Sequence, residues 1–380
     1  MKKIVMGAAA LLCAASMFAV DFAAKVQMAG SIAKKNGDNV DFITLDKKDQ
    51  KDADALVISA STDKAGANFQ FWYTYCGGAA PTAKTTAETK DETTTYTTAI
   101  TPNSIIQVRS VKLWFKPIDQ LKVTVGDVAF SPLYKEHIFW WHGINGGAAV
   151  GSGGAFGGDY FAGAGLTADL SINSLSVTAA LIPGFNAFVS TTPNYGYKSW
   201  GISAKYAFDG GSVGVAFADK GFDEKGINQE KTVSLGGEYT FSGLYANVNL
   251  GARFGNTGLL SFSIDDYLEY SLDALKIQAH LPFVFTNTGS TLVPGMYATV
   301  KLSYAIDGLT PYFLASTEPD GDSGWTFDNS FKFKMTFQPG VTFNVGAASF
   351  DIAFRADVDD SKEGNSKFEW KIPFSIGVGF

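Results

Sequence analysis

Only three histidines stand among the 380 residues, and two of them, His137 and His142, flank the stretch that follows Glu136. Their five-residue spacing in an irregular segment fixes neither one helix face nor one strand face, so it matches no ligand pattern for zinc. The acidic run EPDGDSG at 318–324 puts Asp320, Asp322 and Ser323 where a calcium loop would want oxygens, but no Glu follows at the distance of its bidentate ligand. We read it as a solvated acidic loop. The glycine clusters are followed by no Lys-Ser/Thr at a helix start, so they are not phosphate cradles. No Ser, His and acid fall together at one level of a periodic segment. The sequence therefore predicts no catalytic residue, no metal and no cofactor. What remains is charge. Lys205, Arg253, Lys276, His280, Lys301, Lys332, Lys334 and Arg355 each sit between two apolar residues. On a strand, a cation so placed lines a wet face while its neighbours occupy an apolar one. The chemistry open to such residues is electrostatic guidance of ions and small polar solutes.

Such a wall needs elements with two distinct faces. The last thirteen residues, FEWKIPFSIGVGF, show this most clearly: Phe368, Trp370, Ile372, Phe374, Ile376, Val378 and Phe380 take every second position, with polar or small residues between them. Composition points the same way. The chain has 41 glycines, 31 phenylalanines and 15 tyrosines, and charged residues make up 18% against roughly 25% in a soluble domain. Mean hydropathy is only +0.05, and no segment after the N-terminus approaches a spanning helix. A chain of this kind that crosses a membrane must do so as a closed barrel, because lipid offers backbone groups no partners.

At the other end, Lys2 and Lys3 precede an apolar run from Ile4 to Val20, shorter than a spanning helix with its flanks and suited to a secretory signal. Cleavage after Ala19 is expected, with Ser16 as the alternative. Cys13 lacks the small preceding residue of a lipobox, since Leu12 stands there. Only Cys76 is left in the mature chain, so no internal disulfide can form. The domain division is 1–19 signal peptide and 20–380 transmembrane β-barrel.

Hairpin signals recur along the chain: DKAG at 63–66, PIDQ at 117–120, INS at 172–174, DGG at 209–211, SG at 242–243, DA at 273–274, DG at 307–308 and QPG at 338–340. Between these hairpins lie longer connections at about 34–54, 76–104, 131–158, 183–197, 219–230, 255–261, 286–295, 317–330 and 358–366. Short turns at one end and long loops at the other are the asymmetry of a transmembrane barrel. The fold class is all-β, an antiparallel barrel of about 18 strands, or 16 if one of the weaker pairs near 55–75 or 255–272 fails to form.

Alternation also sorts the faces. From 231 to 254, Val233, Leu235, Tyr239, Phe241, Leu244, Val248 and Phe254 point outward, while Thr232, Ser234, Glu238, Tyr245, Asn247, Asn249 and Arg253 point inward. Aromatics near strand ends, including Trp114, Phe115, Phe130, Trp200, Tyr206, Phe208, Tyr239 and Phe241, suit interfacial girdles. A phase slip near Ala347 and Ala348 predicts a bulge.

With these residues in hand, the terminal strand resembles the C-terminal assembly signal of bacterial outer-membrane β-barrel proteins. The resemblance implies that Phe374, Ile376, Val378 and Phe380 are read by the barrel assembly machinery and that the mature chain sits in outer-membrane lipid. The stretch KLWFKPIDQLKVTVGDV at 112–128 is similar to major outer-membrane proteins of spirochaetes. The segment SPLYKEHIFWWHGINGGAAVGSGGAFGG at 131–158 is too apolar for open water. Folded inward, it resembles in position and role the third loop of general porins, with Tyr134, Phe139, Trp140 and Trp141 narrowing the bore; a subunit contact or an adhesive tip are the alternatives. The expected function is that of a porin: a water-filled outer-membrane channel for passive diffusion of small hydrophilic solutes and ions, without enzymatic activity. A surface structural or adhesive barrel is the alternative. A transporter of hydrophobic substrates fits less well, because alternation begins at Val20 and leaves no room for a plug. Net charge is −7, with acidic loops and basic inward positions, so weak selectivity with a modest anion preference is expected and nucleic acid is not a partner. A second copy of the chain is a candidate partner.

Overall fold

The computed structural model describes residues 19–36, 39–45, 55–73, 82–90, 93–101, 106–130, 161–185, 195–222, 229–287, 289, 291–296, 298–319, 333–359 and 367–379. Every regular element among them is a β-strand. The first strand, β1 (Ala19–Asn36), is long enough for two successive partners on one edge. Its second half pairs with β2 (Asn39–Leu45) and its first half with β3 (Ala55–Ser61). Its other edge takes the terminal strand β24 (Phe368–Gly379), so the sheet closes on itself.

From β3 the ladder passes antiparallel through β4 (Ala65–Tyr73), β7 (Ile106–Ile118), β8 (Leu121–Phe130), β9 (Phe161–Ile172), β10 (Leu175–Phe185), β11 (Tyr195–Phe208) and β12 (Gly211–Phe222). It continues through β13 (Gln229–Phe241), β14 (Leu244–Gly255) and β15 (Gly258–Leu272). The next position is shared by β16 (Leu275–His280) and β17 (Phe283–Asn287), and the one after by β18 (Leu292–Met296) and β19 (Ala298–Tyr304). Then come β20 (Leu309–Pro319) and β21 (Phe333–Val345), followed by β22 (Ala348–Ala353) and β23 (Arg355–Asp359) in one line against β24. Four barrel positions are thus filled by two segments each, and the 22 strands of the main sheet make an 18-position barrel. Outside it, β5 (Thr82–Lys90) and β6 (Thr93–Thr101) form a separate two-stranded sheet between β4 and β7.

Turn chemistry explains much of this. The SG and DG signals become two-residue turns in which both residues have positive φ, 46° and 83° at Ser242 and Gly243 and 40° and 83° at Asp307 and Gly308. These mirror-image turns match the twist of the strands they join. Lys64 and Asp119, in neighbouring turns at the same end, form an ion pair. The hydrogen bond from Lys64 holds the Asp119 carboxyl below its ordinary range, so the contact persists at neutral pH and is lost only as pH falls through that lowered value.

Five expectations need correction. QPG at 338–340 is not a turn: β21 runs straight through it, and the hairpin turn lies at Gly346 and Ala347, where Gly346 has φ 58°. The phase slip expected to be a bulge is therefore the turn itself. Pro339 does leave a mark, because it has no N–H to donate to the ladder. Phe354 donates to Pro339 O at 2.9 Å and receives nothing back, and β22 and β23 are separated there. The connection at 255–261 is a tight turn at Asn256 and Thr257, and the one at 34–54 contains β2. Trp114 and Phe130, expected in the outer girdle, face inward: Leu113 and Phe115 are the exposed neighbours of Trp114, and Phe130 is 2% exposed.

The outer face is apolar. Leu235 is 52% exposed and Phe241 66%, while Ser234 and Asn249 on the opposite face are 3% and 2%. Two carboxylates break the outer pattern. Asp266 lies between Ile264 and Leu268 in the outward phase, and its Oδ1 accepts a hydrogen bond from the Leu281 amide at 3.1 Å, at the break between β16 and β17. Asp127, outward on β8, accepts one from the Val111 amide at 3.1 Å, where the β7–β8 pairing ends. Each side chain replaces a missing ladder acceptor. Asp266→Leu leaves the Leu281 amide orphaned, and we expect a loss of about 1–3 kcal/mol, with Asp266→Asn close to wild type. Urea unfolding in detergent, followed by tryptophan fluorescence, checks both.

Candidate solute path on the inner wall

The same alternation that turns apolar residues outward lines the inside with polar ones. Near the end bearing the short turns, they assemble into a repeated motif of one carboxylate, one tyrosine and one lysine. In the first, Tyr245 on β14 donates to Glu238 Oε2 on β13 at 2.8 Å, Ser212 donates to Oε1 at 2.8 Å, and Lys205 Nζ on β11 lies 3.7 Å from Oε1. In the second, Tyr267 on β15 donates to Glu269 Oε2 at 2.7 Å, and Lys276 Nζ on β16 is 2.7 Å from Oε1. Gln278 adds a hydrogen bond to Tyr267 Oη at 2.7 Å. In the third, Tyr312 on β20 donates to Asp351 Oδ1 on β22 at 2.9 Å, Thr342 donates to Oδ2 at 2.7 Å, and Lys301 Nζ sits 4.8 Å from the centre of the Tyr312 ring.

Turn position creates these contacts. With turns at 242–243 and 273–274, Glu238 lies diagonally across from Tyr245, and Glu269 diagonally across from Lys276, on the same face of each hairpin. The third depends on glycine: a Cβ at Gly340 would lie 2.4 Å from the Tyr312 ring, so only glycine leaves that ring its place. Gln338, beside it, donates to Tyr312 Oη at 3.2 Å. The QPG signal thus serves wall packing. A cavity of about 500 Å³ opens at the first motif, lined by Ser174, Ser176, Lys205, Ser212, Glu238 and Tyr245 with neighbouring backbone.

Higher on the wall, charges are paired, and the Arg355–Asp357 and His280–Asp265 pairs are buried. Arg355 Nε meets both Asp357 oxygens, at 2.9 and 3.0 Å, and Thr336 donates to Asp357 Oδ1 at 2.6 Å. His280 Nε2 lies 2.6 Å from Asp265 Oδ1, and Arg253 Nη1 is 4.0 Å from Glu230. One sector differs. Val128, Phe130, Phe161, Ala180, Ile182, Ala216 and Ala218, on β8, β9, β10 and β12, form a buried apolar cluster on the inner face, with Phe130 and Phe161 stacked 5.3 Å apart.

Of the expected wall cations, Lys205, Arg253, Lys276, His280, Lys301 and Arg355 all stand on this inner face. Lys334 lies in β21 opposite Glu318 and Asp359 in register. Lys332, Tyr134, Phe139, Trp140, Trp141 and Phe380 lie outside the described residues, as do His137, His142, Cys76 and the 320–324 acidic run. Phe374, Ile376 and Val378 lie on β24, paired with Gly30, Met28 and Val26 of β1. What the sequence reading did not foresee is the partner of each lysine. The signal was available in the spacing of Glu269 and Lys276 about a two-residue turn, once that turn is placed.

The architecture is that of a transmembrane antiparallel β-barrel with an apolar outer and a polar inner wall. No protein family model matches the chain, and no curated protein sequence does. Solved structures share its fold. The outer membrane protein OpdK of Pseudomonas aeruginosa superposes with a TM-score of 0.53 at 9% identity, over 95% of this chain and 98% of that one. OccAB3 of Acinetobacter baumannii gives 0.52 at 8% identity, over 95% and 99%. A BenF-like porin of Pseudomonas fluorescens Pf-5 gives 0.51 at 10% identity, over 95% and 98%.

Proposed function

We propose that this chain is a bacterial outer-membrane porin that lets small hydrophilic solutes and ions diffuse passively through its bore. The observation that carries the reading is the closed 18-position barrel whose inner wall holds the paired lysines, carboxylates and tyrosines while its outer wall is apolar. A barrel of this size is wide enough for an aqueous channel. The shared fold adds support, since the solved proteins that share it include the outer membrane protein OpdK, also solved with vanillate, and OccK2 in complex with glucuronate, both ligands small polar solutes.

Within this proposal residues 1–19 are a cleaved secretory signal, and the assembly machinery recognises the terminal strand. The segment 131–158 folds inward; the apolar inner cluster around Phe130 and Phe161, which are the residues flanking 131–160, supports this. A spirochaete-type major outer-membrane protein is the finer version, supported by residues 112–128, which form the β7–β8 hairpin. The alternative of an adhesive barrel draws on one observation, the Thr-rich β5–β6 hairpin that shares no ladder with the barrel among the described residues.

Planar-bilayer recording separates the two. Purified, heat-modifiable protein is expected to insert in discrete conductance steps that grow in proportion to salt. Folded protein that never produces a step favours the adhesive reading.

A further inference from the structure

We infer that the three lysine–carboxylate–tyrosine motifs form a charged arc, from β11 to β22 over rather more than half of the inner wall, that favours zwitterionic solutes, α-amino acids and short peptides, within the channel proposed above and resting on that reading. Their positions make the arc. Glu238, Glu269 and Asp351 each lie four residues from a turn at the same end of the barrel, the turns at 242, 273 and 347. The strands that carry them therefore place all three at one depth. Within the motifs three lysines balance three carboxylates, and Lys122 and Asp169, opposite each other in register on β8 and β9 near the same end, add one charge of each sign.

An ion of either sign passing these motifs meets as much repulsion as attraction, because the paired charges lie 2.7 Å apart at Lys276–Glu269 and 3.7 Å at Lys205–Glu238. Their fields cancel at longer range. An α-amino acid carries both charges one carbon apart, on the scale of these pairs, so its ammonium reaches a carboxylate while its own carboxylate reaches the lysine. Attraction then acts at both ends. The tyrosine hydroxyls hold one oxygen of each carboxylate in place, so little rearrangement opposes docking. Access exists at two motifs, since the side chains of Lys205 and Lys276 are about one-third to two-fifths exposed, at 35% and 44%. At the first, the 500 Å³ cavity gives room for a solute of this size. A neutral polyol of equal bulk gains only hydroxyl exchange.

Proteoliposome swelling with wild-type protein tests this, using L-serine against meso-erythritol. Serine is expected to enter about two- to fivefold faster, the factor an exposed ion-pair contact confers. In the Glu238→Gln/Glu269→Gln/Asp351→Asn variant the ratio falls to one and the reversal potential moves toward anion preference. Should that variant fail to fold, Lys205→Gln/Lys276→Gln is expected to lose the serine advantage and move the potential toward cations. A wild-type ratio of one, or a ratio kept in a folded variant, overturns the inference while leaving the channel standing. If neither solute enters, the channel reading falls and the inference falls with it.

Discussion

A chain lacking Phe380 and carrying Phe374→Asp and Val378→Asp is expected to lose assembly altogether, with no heat-modifiable band after refolding or expression. β24 is the seam. It pairs with β1 from Lys25–Gly379 to Lys34–Lys371 on one edge, and with β22 and β23 on the other. Without it two strand edges stand open, and open edges in lipid leave backbone groups without partners. Phe374 lies near the middle of the strand on the outer face, where a charge is costly, whereas Val378 is near its end and acts by disrupting the terminal apolar row. Glu369→Gln, on the inner face of the same strand, is the control and is expected to fold normally. Wild-type migration of the triple change would show that closure does not depend on this strand.

Replacing residues 138–144 with a short Gly/Ser linker is expected to raise single-channel conductance several-fold while the barrel still folds. The stretch is IFWWHGI, and the wall it would seat against carries Val128, Phe130, Phe161 and Ile182, an apolar sector in an otherwise polar interior. Apolar wall without an apolar cover would face water at roughly 25 cal/mol per Å², and these residues are buried. Removing an occupant of the bore widens the conducting cross-section. Unchanged conductance, with accelerated cleavage of the wild-type segment by external protease, would place it outside.

The barrel was legible because period-two alternation is a local property: Val233, Leu235 and Phe241 against Thr232, Ser234 and Asn247 are sorted by parity alone, and the fold keeps that sorting. Turns made by Ser242–Gly243 and Asp307–Gly308 were legible for the same reason, since positive φ demands particular residues. Pro339–Gly340 shows the limit. The same residue types also serve a strand that forgoes one ladder bond and gives a tyrosine ring room, and only the partner strand decides which use applies. Trp114 was misplaced because it and Phe115 are adjacent and cannot share a face. The pairing of Lys205 with Glu238 was out of reach for a further reason. The two stand on strands with another between them, so their meeting depends on two registers and two rotamers at once. Asp127 and Asp266 were visible as violations of the apolar phase, but their use as acceptors appears only where a ladder is broken.

The β5–β6 hairpin bears on engineering. It is a closed nine-rung ladder from Thr82–Thr101 to Lys90–Thr93, joined to the barrel by chain alone among the described residues, at the end opposite the short turns. Because β5 and β6 pair only with each other among the described residues, exchanging them for a foreign hairpin takes no described rung from the wall. A peptide epitope grafted between residues 90 and 93 would ride on a stem that starts and ends within one strand spacing, which makes this segment a ready mount for surface display.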